Sequence, residues 1–464
     1  MYIMKKFCIL IVLIAFYHNA FSDIWYISEG GRGNQDGTSW SNAASDFPDL
    51  FQNPFLAPGN TQGSIQPKVK DTIFVSKGSY SPILLWHDDS TYTNSFENEI
   101  HIYGGFEGWE KSLSERLEWF DNSTIIDAKN LTKCIWVESY KDTINQYVKH
   151  VVIDGFTLVN GCGQGGAIRV VNETPLFSNL IIKENTGFPV LYFENARDTL
   201  DRYLGNTIFY NCIIRDNSIV NPPYNMLYSS SLISAIQSDV RFTNNTMVGN
   251  ESQLDYSTFF TLAHNSTVWV DNSIMYFNGI FSEDFYTNGN IIYRYSNIEK
   301  SDGSNLWSGF WRGTDGGGNI DIDPKFKDYN SRDLHLDLYS PCVDVGNYSL
   351  RYNIVLAYGY TNFNYYHNYD IEGFNRMMGD NIDMGAFEYQ SDTYYAPGMD
   401  RVAGTDMKSV LYDKILVYDL SGKYITIVYN IDDVSSLSLK EGYYVLSYVL
   451  NNKIVYSNKF FVKL

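Results

Sequence analysis

Through the middle of the chain, apolar residues come in short runs bounded by Asn, Asp or Gly, without the three-to-four-residue spacing of an amphipathic helix. One phrase recurs. Asp154-Gly-Phe-Thr-Leu-Val-Asn160 is echoed by Asn179-Leu-Ile-Ile-Lys-Glu-Asn185, Asn211-Cys-Ile-Ile-Arg-Asp-Asn217, Asn244-Asn-Thr-Met-Val-Gly-Asn250 and Asn272-Ser-Ile-Met-Tyr-Phe-Asn278, with a degraded copy at Tyr295-Ser-Asn297-Ile. A unit this short cannot bury its own apolar side chains and must stack on its neighbours, so one repeat is one coil. Asn at a fixed corner is expected to take the left-handed conformation and to hydrogen-bond its equivalents above and below. The uneven spacing of the copies sends loops of different size out at the corners, where binding surfaces usually lie. The pattern predicts an all-β chain whose body, over 68–345, is a right-handed parallel β-helix. The missing leucine consensus excludes leucine-rich repeats, and the short period excludes propeller blades.

The two ends differ from this body. Lys5 and Lys6 precede an apolar run from Phe7 to Phe16, and Ala20-Phe21-Ser22 offers a signal-peptidase site, so residues 1–22 are expected to be an export leader cleaved after Ser22. No apolar run reaches the roughly 20 residues of a membrane-spanning helix. At the other end, Lys414 to Lys423, Leu437 to Leu446 and Lys459 to Leu464 alternate apolar and other residues around Ser-Gly and Glu-Gly turns, predicting a small antiparallel β-sandwich over 407–464. A cap at 23–67, the helix with its terminal motif at 68–390 and a linker at 391–406 complete the expected plan.

Composition narrows the partners. The formal charge is −19 over 464 residues, and only 19% of residues are charged while 16% are aromatic. Nucleic acid is excluded as a partner, because phosphate binding requires clustered Lys and Arg. Cys134, Cys162, Cys212 and Cys342 are too sparse for a disulfide scaffold and are read as buried thiols; no spacing suggests zinc.

Several phrases resemble a known group. Trp25-Tyr-Ile-Ser28, Gly37-Thr-Ser-Trp40-Ser-Asn-Ala43, Asp71 to Tyr80, Ile102-Tyr-Gly-Gly-Phe106 to Arg116, and Thr124-Ile-Ile-Asp127 look like the opening coils of secreted bacterial parallel β-helix proteins. Ser340-Pro-Cys-Val-Asp344-Val-Gly346, Asp370-Ile-Glu-Gly373, Arg376 and Asp383-Met-Gly-Ala-Phe-Glu-Tyr389 resemble the terminal signature of the choice-of-anchor Q family, with residues 347–369 as an insertion. The tail resembles the type A sorting domain of the type IX secretion system. The resemblance implies export across a Gram-negative outer membrane by that machinery, a secreted or surface location, and no established reaction.

Candidate chemistry is thin. Lys183-Glu184 and Arg215-Asp216 occupy equivalent places in adjacent coils and form a charged stripe, read either as surface charge beside a turn or as a contact for an anionic glycan. Asp315, Asp321 and Asp323, around a Gly-Gly-Gly-Asn turn, are read either as a capped turn or as three calcium ligands. The glycines from Gly161 to Gly166 lack the Gly-Lys-Ser/Thr of a phosphate loop and fit a coil corner. His87, His101, His150, His264, His335 and His367 pair with no Ser or Cys nucleophile motif and are read as structural or surface residues. The reading that emerges is a noncatalytic surface or secreted β-helix that binds glycans, including those of a host or cell surface, or mediates adhesion. The alternative is a polysaccharide lyase or glycosidase, with calcium if the carboxylates gather.

Overall fold

The computed structural model describes residues 24–50, 71–87, 99–116, 123–139, 150–197, 206–221, 230–254, 257–280, 285–286, 289–307, 313–351, 369–379, 381–389, 414–419, 424–428, 442–450 and 453–462. The leader, much of the expected cap, most of the 347–369 insertion and the linker lie outside these residues.

The body is a parallel β-helix. Three sheets of ten, eight and seven strands run along it, and the chain visits each in turn before climbing to the next coil. One coil, for example, passes from Leu176–Ser178 through Ile181–Lys183 to Leu191–Glu194, each strand paired in parallel with the coil before and the coil after. Ile24–Ile27 opens the ten-stranded sheet and Thr314–Asp315 closes it. Alternate residues point inward, so that Phe177, Phe209 and Phe242 stack at centroid separations of 4.9 Å. Each buries its ring beside the aliphatic column of the facing sheets, the arrangement that stabilises stacked strands.

The two asparagines of the repeated phrase do different jobs. The second makes the ladder. Asn217, Asn250 and Asn278 each place Oδ1 on the backbone N–H and Nδ2 of the equivalent residue one coil earlier, at 2.9–3.2 Å, and Asn185 Oδ1 accepts the N–H of Gly161 at 2.8 Å to complete the series. The left-handed residue at that corner is the one just before it: Glu184, Asp216, Gly249 and Phe277, at φ of 54–64°. The first asparagine, at Asn179, Asn211, Asn244 and Asn272, is left-handed, at φ of 47–56°. A second ladder runs one residue later through Asn245, Ser273, Ser296 and Asn319.

Two copies of the phrase are displaced from the alignment the sequence suggests. Gly155 and Gly161, not Asp154 and Asn160, take the two corner positions of the first copy, because Asp154 pairs in register with Ser178. At the far end Tyr295, not Asn297, matches Asn272. In the first case a glycine takes the left-handed residue that asparagine supplies elsewhere.

Beyond the last coil the chain turns back. Phe326–Asp328 and Asp333–Leu336 form an antiparallel hairpin that, with residues 340–346, 369–379 and 381–389, lies across the outer face of the eight-stranded sheet. Ile213, Val248 and Ile274 are buried beneath Leu334, Leu336, Ile371, Met384 and Phe387. The first asparagines hold this strap: Asn211 Nδ2 donates to Tyr369 O (2.8 Å), Asn272 Nδ2 to Asn347 O (3.0 Å), and Asn272 Oδ1 accepts from Asn347 N (2.7 Å). Arg376 is fully buried, donating to Asn211 Oδ1 and to the carbonyls of Gly385 and Ala386.

The tail is an antiparallel sheet of four strands, ordered Tyr424–Val428, Lys414–Asp419, Gly442–Leu450 and Lys453–Val462, with Ile415 and Val417 fully buried. Among the described residues no helix is long and apolar enough to cross a membrane.

Candidate functional site

The phrases that carry the family resemblance are occupied in building the fold. Asp71 accepts the Trp25 indole N–H at 2.9 Å, Trp40 donates to Glu110 O at 2.6 Å, and Glu110 caps the N–H groups of Glu107, Gly108 and Trp109. Arg116 is fully buried against Asp154 and lies 5.8 Å from the ring centres of Tyr103 and Phe106. Asp370, Asp383 and Glu388 gather around Arg376 inside the strap. Burial pushes Asp370 up to about 6 and Asp383 up to about 7, and raises Glu388 as well, since one guanidinium cannot neutralise three buried carboxylates.

The charged stripe forms in register, Lys183 beside Arg215, but half of it is taken. Arg332, from the returning hairpin, grips Asp216 through Nη2 and Nε at 2.6 and 3.1 Å, while Arg215 holds the same carboxylate at 2.5 Å. Lys183 and Glu184 form a looser pair at 3.3 Å, with the Glu184 side chain 56% exposed. Arg215 and Asp216 therefore latch the strap, and their charges are already paired.

The three aspartates serve separate turns. Asp315 Oδ1 accepts from Ser304 Oγ, Gly317 N and Asn319 Nδ2 at 2.6–3.0 Å, Asp321 caps Asp302 N, and Asp323 caps Lys325 N. Among the described residues no three His, Cys, Asp or Glu side chains come together as a metal site.

Cys134, Cys212 and Cys342 are buried thiols and Cys162 is half-buried, none in a disulfide. Burial pushes Cys212 and Cys342 up to about 12, which removes them as nucleophiles. His335 lies between two carboxylates, Nδ1 at 2.5 Å from Asp333 and Nε2 at 2.8 Å from Glu372, with its ring 4.4 Å from Phe387. This too is a strap contact.

The outer face of the seven-stranded sheet carries a different arrangement. The inward positions flanking its middle row are aliphatic or aromatic, and the residue between each such pair forms a column in register: Leu84, Trp136, Arg169, Tyr192, Ser234 and Thr261. The Arg169 guanidinium sits between two rings, 5.8 Å from the Trp136 centroid and 4.8 Å from that of Tyr192. The Lys133 ammonium lies 4.4 Å from the same Trp136 ring. Trp136 Nε1 donates to Glu138 at 2.7 Å and the Tyr192 hydroxyl to Glu194 at 2.8 Å, which fixes both rings. Gln164 Oε1 accepts from Arg169 Nη1 at 2.6 Å.

Gln164 is in place because of the glycines around it. A Cβ on Gly161 would meet Gly166 O at 1.9 Å, and one on Gly166 would meet Thr186 O at 1.9 Å, so the corner closes only without side chains. The glycine-rich stretch is a coil corner that delivers a hydrogen-bond acceptor to Arg169.

Burial lowers the Lys133 pKa, and repulsion from Arg169 lowers it further. Burial raises that of Tyr192, and its hydrogen bond to Glu194 adds to this. Tyr192, Ser234 and Thr261 are buried, so the accessible part of the column is centred on Trp136 and Arg169, with two cations and two carboxylates over three rungs, about 10 Å at the usual strand spacing. That suits a polyhydroxylated ring, whose C–H face packs on aromatics while its hydroxyls meet charged donors and acceptors. A signal for it exists in Ile135-Trp-Val137, Ile168-Arg-Val170 and Leu191-Tyr-Phe193, each an outward residue between two inward ones. No known family model matches the chain, and a search of curated proteins finds no match.

Proposed function

We propose that this protein is an exported, cell-surface or secreted β-helix that binds carbohydrate without turning it over, through the outer face of the seven-stranded sheet. The observation that carries the reading is the Arg169 guanidinium held between Trp136 and Tyr192, each ring fixed by a carboxylate of its own strand. Fixed aromatics lose little conformational freedom on binding, so stacking on a sugar ring is favoured. The leader-like N-terminus and the resemblance to choice-of-anchor Q proteins with a type IX sorting tail support a location where polysaccharide is met. Adhesion follows from the same face if the glycan belongs to a host or a neighbouring cell.

Hydrolysis is the second reading, and one observation favours it. Glu138 and Glu194 stand two rungs apart on the same outward column with Val171 between them, roughly 10 Å along the sheet at the usual strand spacing. Inverting glycosidases separate their carboxyl groups by about 6.5–9.5 Å. Against it, the carboxylates are turned toward the Trp136 and Tyr192 donors.

Incubating the purified protein with neutral and uronate-containing polysaccharides, with and without calcium, separates the readings. Binding without new reducing ends or unsaturated products supports recognition alone. Product that disappears in Glu138→Gln or Glu194→Gln overturns it in favour of hydrolysis.

A further inference from the structure

Lys133 and Arg169 both lie within reach of the Trp136 indole, at 4.4 and 5.8 Å from its centroid, and among the described residues neither makes an ion pair. The two carboxylates of the face accept hydrogen bonds from neutral donors instead. Elsewhere on the helix arginines are matched to acids: Arg116 with Asp154, Arg197 with Asp239, Arg215 and Arg332 with Asp216, and Arg241 and Arg294 with Asp271. Arg169, on the face with stacked rings, is not, nor is Arg32, which donates to Gly108 O. Two like charges near each other at a half-buried surface repel: burial lowers the Lys133 pKa first, and the Arg169 charge lowers it further. An anion placed between them would relieve the repulsion and would gain charge-assisted hydrogen bonds from both.

We infer that the carbohydrate this face takes is acidic, its carboxylate or sulfate group meeting Lys133 and Arg169 while its ring packs on Trp136. This rests on the carbohydrate reading above and names the class of sugar. The overall charge of −19 does not attract such a polymer from a distance. At physiological ionic strength, however, fields are screened within about 8 Å, so the contact pair decides affinity. The guanidinium is well suited to this part, since its planar fork meets a carboxylate or sulfate with two parallel donors while its faces remain stacked.

The test uses the full chain and two matched pairs of probes: tetragalacturonate against its methyl ester, and a short dextran sulfate against unsulfated dextran. Tryptophan fluorescence gives the affinities. At least one acidic probe is expected to bind about tenfold or more tightly than its neutral partner, the effect of one charge-assisted contact. Preference within the carboxylate pair or within the sulfate pair identifies the source of the anion. Arg169→Gln and Lys133→Gln should each remove most of the advantage, and Lys133→Arg should keep it, with unchanged circular dichroism in all three. Equal affinity for acidic and neutral probes, with both lost in Trp136→Ala, overturns the inference and leaves carbohydrate binding standing. Failure of all four probes to bind overturns both.

Discussion

Replacing Asn217 by alanine tests whether the second asparagine of each repeat holds the coils together. Asn217 is 1% exposed and makes four hydrogen bonds: Oδ1 accepts from the backbone N–H and Nδ2 of Asn185, and Nδ2 donates to Ile182 O and Asn250 Oδ1. After truncation Asn185 Nδ2 keeps Leu158 O and Lys183 O, and Asn250 Oδ1 keeps the Asn217 N–H. The Asn185 N–H loses its acceptor, a buried donor worth about 1–3 kcal/mol, and the remaining lost bonds add about 0.5–1.5 kcal/mol each in net terms. A total near 5 kcal/mol corresponds to a local opening constant raised by about three to four orders of magnitude. In a stack whose coils contact only their neighbours the loss should stay local. Native-state hydrogen exchange by mass spectrometry should show faster exchange over 181–185 and 213–219 and unchanged rates near residues 71–80. Asn278→Ala, at the half-exposed end of the ladder, should cost about 1 kcal/mol because water replaces its partners. Equal effects at the two positions, or less than 1 kcal/mol at Asn217, would refute the reasoning.

Three further outcomes follow from the geometry. Gly249→Ala should destabilise by about 1–2 kcal/mol in urea unfolding, since φ is +64° and the new Cβ would lie 2.7 Å from Asp216 Oδ1, disturbing the latch as well. The strap should loosen as pH rises. Asp370 and Asp383 have folded pKa values raised by burial to about 6 and about 7, so their protonated forms favour the fold below the ordinary carboxylate range and this stabilisation fades through pH 4 to 7. Burial alone would lower His335, but Glu372 and Asp333 outweigh it and raise it to about 9, so its contribution is full below about pH 6.5 and is lost toward 9. Exchange at the amides of Gly385 and Ala386, corrected for intrinsic rate, should report both, and Glu388→Gln should flatten the lower step; protection that grows with pH would contradict this. Arg332→Ala should cost about 1 kcal/mol, discounted because its side chain is 32% exposed, and should raise exchange in the hairpin before the coils.

The coils were legible because each carries the same short demand: a left-handed residue, an apolar pair and a ladder asparagine. The misplacement of the first copy by one residue has a physical origin, since Gly155 can take the left-handed corner and Asp154 only looks like the asparagine that does so elsewhere. The strap was not legible, because its anchors join residues far apart in sequence: Arg332 reaches Asp216 across 116 positions and Arg376 reaches Asn211 across 165. The same distance hid a contact of the charged stripe, whose Asp216 is held by Arg332. The contacts of Asp315, Asp321 and Asp323 were equally out of reach of composition: Asp315 and Asp323 cap their own turns, while Asp321 caps Asp302 N, 19 residues away. The platform of Trp136, Arg169 and Tyr192 was missed because the corner before its strand varies in length, so the third strand of each coil falls out of step with the repeated phrase.

Two faces of the helix can be set against each other in one titration of the full chain with an oligosaccharide that the wild type binds. Trp136→Ala, on the seven-stranded sheet, should weaken binding about tenfold or more, whereas Lys183→Ala, on the eight-stranded sheet, should leave it unchanged. Binding that survives Trp136→Ala and is lost in Lys183→Ala would contradict the account and return the site to the charged stripe.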